Sequence, residues 1–361
     1  MRDLQITTTG PIVDKVNYVG ASLTVDSVTY PARMRGRGNY TWFLPKKPYK
    51  VKLDKSTAMF GFPKSKDWAL LANMLDESNI RTAVAYEIGR RIGRWAPRSV
   101  FCEVTLNGSY QGLYQFIESV EVQPGRLEIR EMSGGDTGGA ALTGPYVLEQ
   151  DAYFVDPGWI TPLGNEMNYD VPDVVGVPQQ EAYIQNWINS FERLLVTGDV
   201  AWLQYADLPS WADWYLLQEL TKNYDSQWYN SCKFYKDQGE PGRVVLWPPW
   251  DFDQSSGGWG AQQIPRSGWW TRQQRDQRNN WLMYAVRSPV FAGLLKHRWQ
   301  TIFLPALADL DAYITTLADD LREAQVRDRA KWFGRPPALH HTAPFISSWL
   351  TVRKGWLTTN L

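Results

Sequence analysis

Several things are scarce in this chain, and each scarcity narrows what it does. There are two cysteines in 361 residues. Cys102 and Cys232 both sit in apolar, strand-like runs, so they read as buried thiols and exclude a disulfide framework or a C-x-x-C metal site. The three histidines, His297, His340 and His341, lack H-E-x-x-H spacing, which excludes a zinc-hydrolase helix. No run of 18 apolar residues exists, so no transmembrane helix is expected. Met1–Gly10 is polar and lacks the apolar core of a cleavable leader, so a signal peptide is not expected either. Formal net charge is zero, which argues against nucleic acid as a bulk partner.

What is present is a large supply of core. The chain is 43% hydrophobic and 21% charged, with nineteen tryptophans, most of them at amphipathic spacing. This is enough apolar surface for two lobes. Charge is unevenly spread: Arg33 to Arg98 holds fifteen Lys/Arg against five Asp/Glu, leaving the remainder net acidic. A basic first third and an acidic second half divide the charge as a phosphate and metal site requires.

The patterning predicts an α+β protein with mixed and antiparallel sheets and a helical C-terminal half. Tyr49, Val51 and Leu53 alternate with Lys50, Lys52 and Asp54, as in a strand with one buried face. Ahead of it, Arg35-Gly36-Arg37-Gly38-Asn39 is a glycine-spaced basic loop. Asp76-Glu77-Ser78 opens a helix with Ile80, Val84, Ile88 and Ile92 on one stripe and Gly93 near its end. Glu87 lies off that stripe. Val100–Leu106 and Gly112–Glu118 flank Asn107-Gly108, a strong hairpin signal. Residues 151–180 are rich in Pro, Gly and Asp and mark an insertion or lid. A helix follows at Glu181–Leu195, and another at Ser210–Lys222 with an S-x-x-D capping box. The expected division is a β-rich lobe over 1–150, the insertion, and a helical lobe over 181–361, its last helices capping the acidic half. Gly260–Asn280 is expected to be a surface loop near the site.

The chemistry is concentrated between Lys222 and Gly258. Asp225 and Asn230 are spaced D-x-x-x-x-N, and Asp251 and Asp253 form a D-F-D triplet after the β-rich run Val244–Trp247. Phosphoryl transfer of the protein-kinase type uses an Asp to orient the acceptor hydroxyl, an Asn five residues on for Mg²⁺, and another Asp after a strand for metal and phosphates. Carboxylate and amide oxygens suit such hard cations at about 2.0–2.1 Å. Glu118 and Glu149, each ending a strand, are candidates to pair with Lys50 or Lys52.

These segments resemble a known family in their order. RGRGNYTW, KKPYKVKLDK, FGFPKSKDWALLAN, RTAVAYEIGRRIG, VTLNGSYQGLYQFIE and KNYDSQWYNSCKFYKD…WPPWDFD are similar to the spore coat protein H (CotH) kinase family, and FAGLLKHRW…SSWLTVRKGWL fits its helical end. The resemblance implies an atypical, two-lobed kinase-like fold that binds ATP with Mg²⁺ or Mn²⁺ and phosphorylates Ser/Thr of a protein. It implies Asp225 at the acceptor hydroxyl, Asp251 on metal, and Asn230 and Asp253 in the metal shell. Lys50 or Lys52, with Arg35 or Arg37, falls on the phosphates, and Tyr146 and Trp250 pack the adenine. Where ordinary kinases have DFG this chain has DFD, and the family's RGxST has Tyr40 at its small position.

Two other classes remain open on sequence. Asp251-Phe252-Asp253 is also the D-x-D triplet of metal-dependent nucleotide-sugar glycosyltransferases, and tryptophan-rich chains serve as sugar-binding adhesins. The basic loop and the D-x4-N spacing favour the kinase. The expected partner is a protein acceptor, not nucleic acid or membrane. A monomer is expected, cytoplasmic or associated with a virion or cell surface.

Overall fold

The computed structural model describes residues 1–225, 227–258, 264–273 and 279–361. It is an α+β chain whose contacts divide into two units. One comprises 1–86, 96–127 and 309–348, the other 87–95, 128–308 and 349–361.

The first unit is built on a closed seven-stranded barrel: β1 (Arg2–Thr8), β2 (Val19–Val25), β3 (Val28–Gly36), β4 (Tyr49–Thr57), β5 (Ser65–Leu71), β6 (Ser99–Leu106) and β7 (Ser109–Glu118). Strand order is β1-β2-β3-β4-β5-β7-β6, and a parallel β1–β6 ladder closes it. Closure removes the exposed edges a seven-stranded sheet would otherwise present. The alternation in β4 holds: Tyr49, Val51 and Leu53 point inward with Trp68, Leu70, Tyr114 and Phe116, while Lys50 and Lys52 face out. Asn107 and Gly108 both adopt positive φ, at 50° and 77°, the backbone of a tight two-residue hairpin.

Helix α1 (Arg81–Arg91) starts later than the sequence suggests. Asp76 does not begin it; its carboxylate accepts the amides of Ser78 at 3.1 Å and Arg81 at 3.0 Å. Ile80, Val84, Ile88 and Ile92 are buried as the stripe requires.

The second unit carries a five-stranded antiparallel sheet in the order β12-β11-β8-β10-β9. Its strands are β8 (Tyr146–Gln150), β9 (Gly158–Ile160), β10 (Glu166–Val171), β11 (Cys232–Lys236) and β12 (Val244–Val245). The supposed insertion over 151–180 therefore contains β9 and β10. Strands of three and six residues are too short to show a period. Helices α2 (Pro178–Thr197), α3 (Leu208–Thr221) and α4 (Pro289–Arg298) belong to the same unit. The α3 cap is Asp207, whose side chain accepts Ser210 N at 2.9 Å. Asp213, the acid of the expected capping box, is instead buried between Arg94 and Arg298.

Tryptophans fill this unit's core. Trp281 stacks on Trp228 with centroids 4.4 Å apart and on Trp211 at 5.9 Å. Cys102 and Cys232 are buried free thiols, as expected. Helix α5 (Leu310–Trp332) packs on β7 and returns the chain to the barrel rather than capping the acidic half. Helix α6 (Ala343–Asn360) ends the chain. Among the described residues no single helix is long and apolar enough to cross a membrane.

Candidate active site

The acidic residues come from two loops of the second unit. The first leaves the C-terminal end of α3 and runs through Asp225 and Asn230 into β11. The second follows β12 and carries Asp251 and Asp253. Four hydrogen bonds join them. Asn223 Nδ2 donates to the Asp251 carbonyl at 3.0 Å, and Ser231 Oγ to the Asp251 carboxylate at 3.4 Å. The amides of Tyr224 and Ser256 donate to the carbonyls of Gln254 at 3.3 Å and Thr221 at 2.6 Å. Residues 26 positions apart in sequence, Asp225 and Asp251, are thus held on adjoining loops.

Their exposures differ. Asp225 and Asp253 are each 8% exposed and Asn230 6%, whereas Asp251 is exposed. Asn230 Oδ1 accepts the amide of Ala152 at 3.0 Å, and this ties the segment after β8 to the same loops. Strain concentrates here. Lys222, Trp228, Ser231, Asp251 and Ser256 all have φ between 43° and 59°, five of the twelve such non-glycine residues among those described. Each costs about 1–3 kcal/mol and persists where surrounding structure imposes it, commonly at functional sites.

Asp151, which sequence reasoning passed over, is the electrostatic centre of this region. Burial, then the neighbouring Glu149 and Asp251, push its carboxyl up to about 7. Burial likewise raises Glu149, against the pull of Lys233. Lys233 bridges Glu149 and Asp170, each at 2.8 Å, across three strands. Burial alone lowers a lysine, but these two carboxylates more than reverse it, and Lys233 stays charged. The partner of Glu149 is therefore Lys233. No sequence period signals these residues, because their juxtaposition is cross-strand.

The other predicted residues are placed as follows. Tyr146 is buried at the opposite end of β8 from Gln150, with its ring stacked on Tyr183 at 5.9 Å and its hydroxyl donating to Leu142 O. Trp250 is half-buried immediately before Asp251. In the barrel, Lys52 pairs with Asp67 at 3.6 Å, and Lys50 is partly exposed on the same face. Arg35 donates to Lys15 O and lies over the Tyr18 ring at 5.3 Å. Arg37 bonds through its amide to Pro48 O at 3.2 Å. Glu118 does not pair with these lysines. It is fully buried and bound to Arg98 at 2.7 Å, with Arg126 at 3.6 Å, because the end of β7 faces the segments that carry those arginines. Glu87 pairs along its own helix with Arg90 and Arg91. Of Gly260–Asn280, residues 260–263 and 274–278 lie outside the described residues; 264–271 are bonded to buried groups of α3 and α6.

The donor set fits a hard divalent cation. It consists of carboxylate and amide oxygens, the ligand types such cations take. Among the described residues no three His, Cys, Asp or Glu close to coordinating distance.

A family described as CotH kinase protein matches residues 34–357. The chain belongs to this family. It is also similar to the inner spore coat protein H of Bacillus subtilis (strain 168), at 24% identity over 227 residues, 61% of this chain. The match spans 58% of that relative's length. The matched family region includes both loops of the acidic site, so Asp225, Asn230, Asp251 and Asp253 lie within the part of the chain that is CotH-like.

Proposed function

We propose that this chain is an atypical, ATP- and divalent-metal-dependent kinase that transfers the γ-phosphate to a Ser/Thr hydroxyl of a protein. The observation that carries the reading is the cross-bonding of the Asp225–Asn230 loop to the Asp251–Asp253 loop, within a chain of the CotH kinase family. When bound, Mg²⁺ or Mn²⁺ neutralises phosphate charge and orients the transferring group.

The residues divide the work by position. Asp225, nearly buried on a fixed turn, orients the acceptor hydroxyl and takes its proton. Asp251, exposed, and Asp253 would hold the metal, with Asn230 beside them. Asn230 also fixes Ala152 and so brings Asp151 to the site. Location at a spore coat follows by analogy with the relative's name; the protein acceptor and the monomeric state are part of the proposal.

The test is transfer from labelled ATP to a Ser-containing acceptor, run beside ATP binding. Asp225→Ala should keep binding and lose transfer by about 10³-fold or more; Asp251→Ala should lose both. Equal loss of binding in the two variants overturns the division of roles.

A further inference from the structure

Three buried ionisable side chains that the transfer chemistry does not use converge on one segment, residues 264–271. They are Glu219 on α3, Lys222 just beyond its end, and Arg353 on α6, each at most 1% exposed. The Glu219 carboxylate accepts the amides of Trp270 at 2.9 Å and Thr271 at 2.8 Å, and the Thr271 hydroxyl at 2.7 Å. Arg353 donates to the carbonyls of Arg266 at 2.8 Å and Gly268 at 3.0 Å, and to the Glu219 carbonyl and carboxylate at 2.8 and 3.2 Å. Lys222 Nζ donates to the carbonyls of Pro265 at 2.5 Å and Ser267 at 2.6 Å.

Three buried charges are a costly way to tether a loop, since each is tolerated only when fully bonded. The segment they hold does more than close itself. Trp270 Nε1 donates to Asn223 O at 2.7 Å, and Gln227 Nε2 donates to Trp270 O at 3.3 Å. Asn223 and Gln227 each lie two residues from Asp225, on opposite sides. Lys222 itself ends α3 in the left-handed conformation, at φ 43°, so the reversal that launches the Asp225 loop is locked at its own side chain.

We infer that Glu219, Lys222 and Arg353 are positioning residues: through the 264–271 strap they brace the loop on both sides of Asp225, at the Asn223 carbonyl and the Gln227 side chain. The mechanical part stands on these contacts alone, and its kinetic consequence rests on the kinase reading. Small errors in the placement of a reacting group cost large factors in rate without weakening ground-state binding.

The test uses the full chain and the near-isosteric variants Glu219→Gln and Arg353→Lys, with Thr271→Val as a variant that loses one hydroxyl. Amide hydrogen exchange is measured by segment, beside transfer kinetics. The expected result is exchange faster by about 10-fold in 223–231 as well as in 264–271, the factor set by losing a buried charge-assisted bond. Protection in 146–150 and 232–236 should stay at the wild-type level. Transfer kcat should fall about 10–100-fold with the KM for ATP within about 3-fold. Faster exchange in the strap with 223–231 unchanged overturns the inference, as does loss of protection through the whole sheet in all three variants. Absence of transfer by the wild type refutes the kinase reading instead, and leaves the exchange pattern to decide the bracing.

Discussion

Asn223 Nδ2 donates to the backbone carbonyl of Asp251 at 3.0 Å, so the side chain of one loop fixes the main chain of the other. Asp251 sits there at φ 59°, in the left-handed region that aspartate enters more readily than most side chains. The bond is part of what holds the D-F-D triplet beside the D-x4-N loop.

Removing that donor should therefore loosen the triplet before it unfolds the protein. Asn223→Ala is expected to destabilise the second unit by about 1–2 kcal/mol, the loss of one buried hydrogen bond. Its affinity for Mg²⁺-ATP should fall by about 10-fold, measured by calorimetry beside a urea melt. Unchanged affinity with the same loss of stability would make Asn223 a structural residue only.

Asp151 gives a pH signature. Its carboxyl stands at about 7 in the fold against 3.8 unfolded. Between those values the folded state holds a proton that the unfolded state has lost, so wild-type stability declines as pH rises from about 4 to 7. Asp151→Asn removes that decline. The variant should match the wild type at pH 4 and exceed it by about 1–3 kcal/mol at pH 8 without metal. Parallel stability curves for the two proteins, from thermal melts across that range, would show that Asp151 ionises freely.

The barrel unit has the opposite sign. Asp76 is fully buried, and burial alone would raise its carboxyl, yet Arg81 and then His341 and Ser78 hold it below the usual carboxylate range. Its contribution is present above the unfolded value and is lost as pH falls through the folded one. Asp76→Asn leaves Arg81 buried beside an uncharged partner, and is expected to cost about 3–5 kcal/mol at pH 7. The difference from wild type should shrink in strong acid. A loss that is the same at pH 2 and pH 7 would exclude the ion pair as its cause.

The sequence was most legible where a period or a turn signal is local. The β4 alternation, the Asn107-Gly108 hairpin, the α1 stripe and both buried cysteines follow from spacing alone. The D-x4-N and D-F-D motifs singled out two loops that the fold does join through Asn223 and Ser231; the roles of Asp225, Asn230, Asp251 and Asp253 belong to the proposal. Barrel closure was not legible, because the parallel β1–β6 ladder joins residues about a hundred positions apart. Asp151, Lys233, Glu219 and Arg353 were missed for the same reason: each acts through a partner brought near by the sheet or by α6. Strand-end position made Glu118 look like a partner for the basic strand. Its actual partners, Arg98 and Arg126, become visible only once β7 and the segment after it are folded.

The most direct test is calorimetric titration of the chain with ATP, with and without Mg²⁺ or Mn²⁺, on the wild type and Asp251→Ala. ATP binding that requires the metal and disappears in Asp251→Ala is the predicted result. Binding of a nucleotide sugar but not ATP, or binding of ATP that neither the metal nor Asp251 affects, would contradict the kinase assignment.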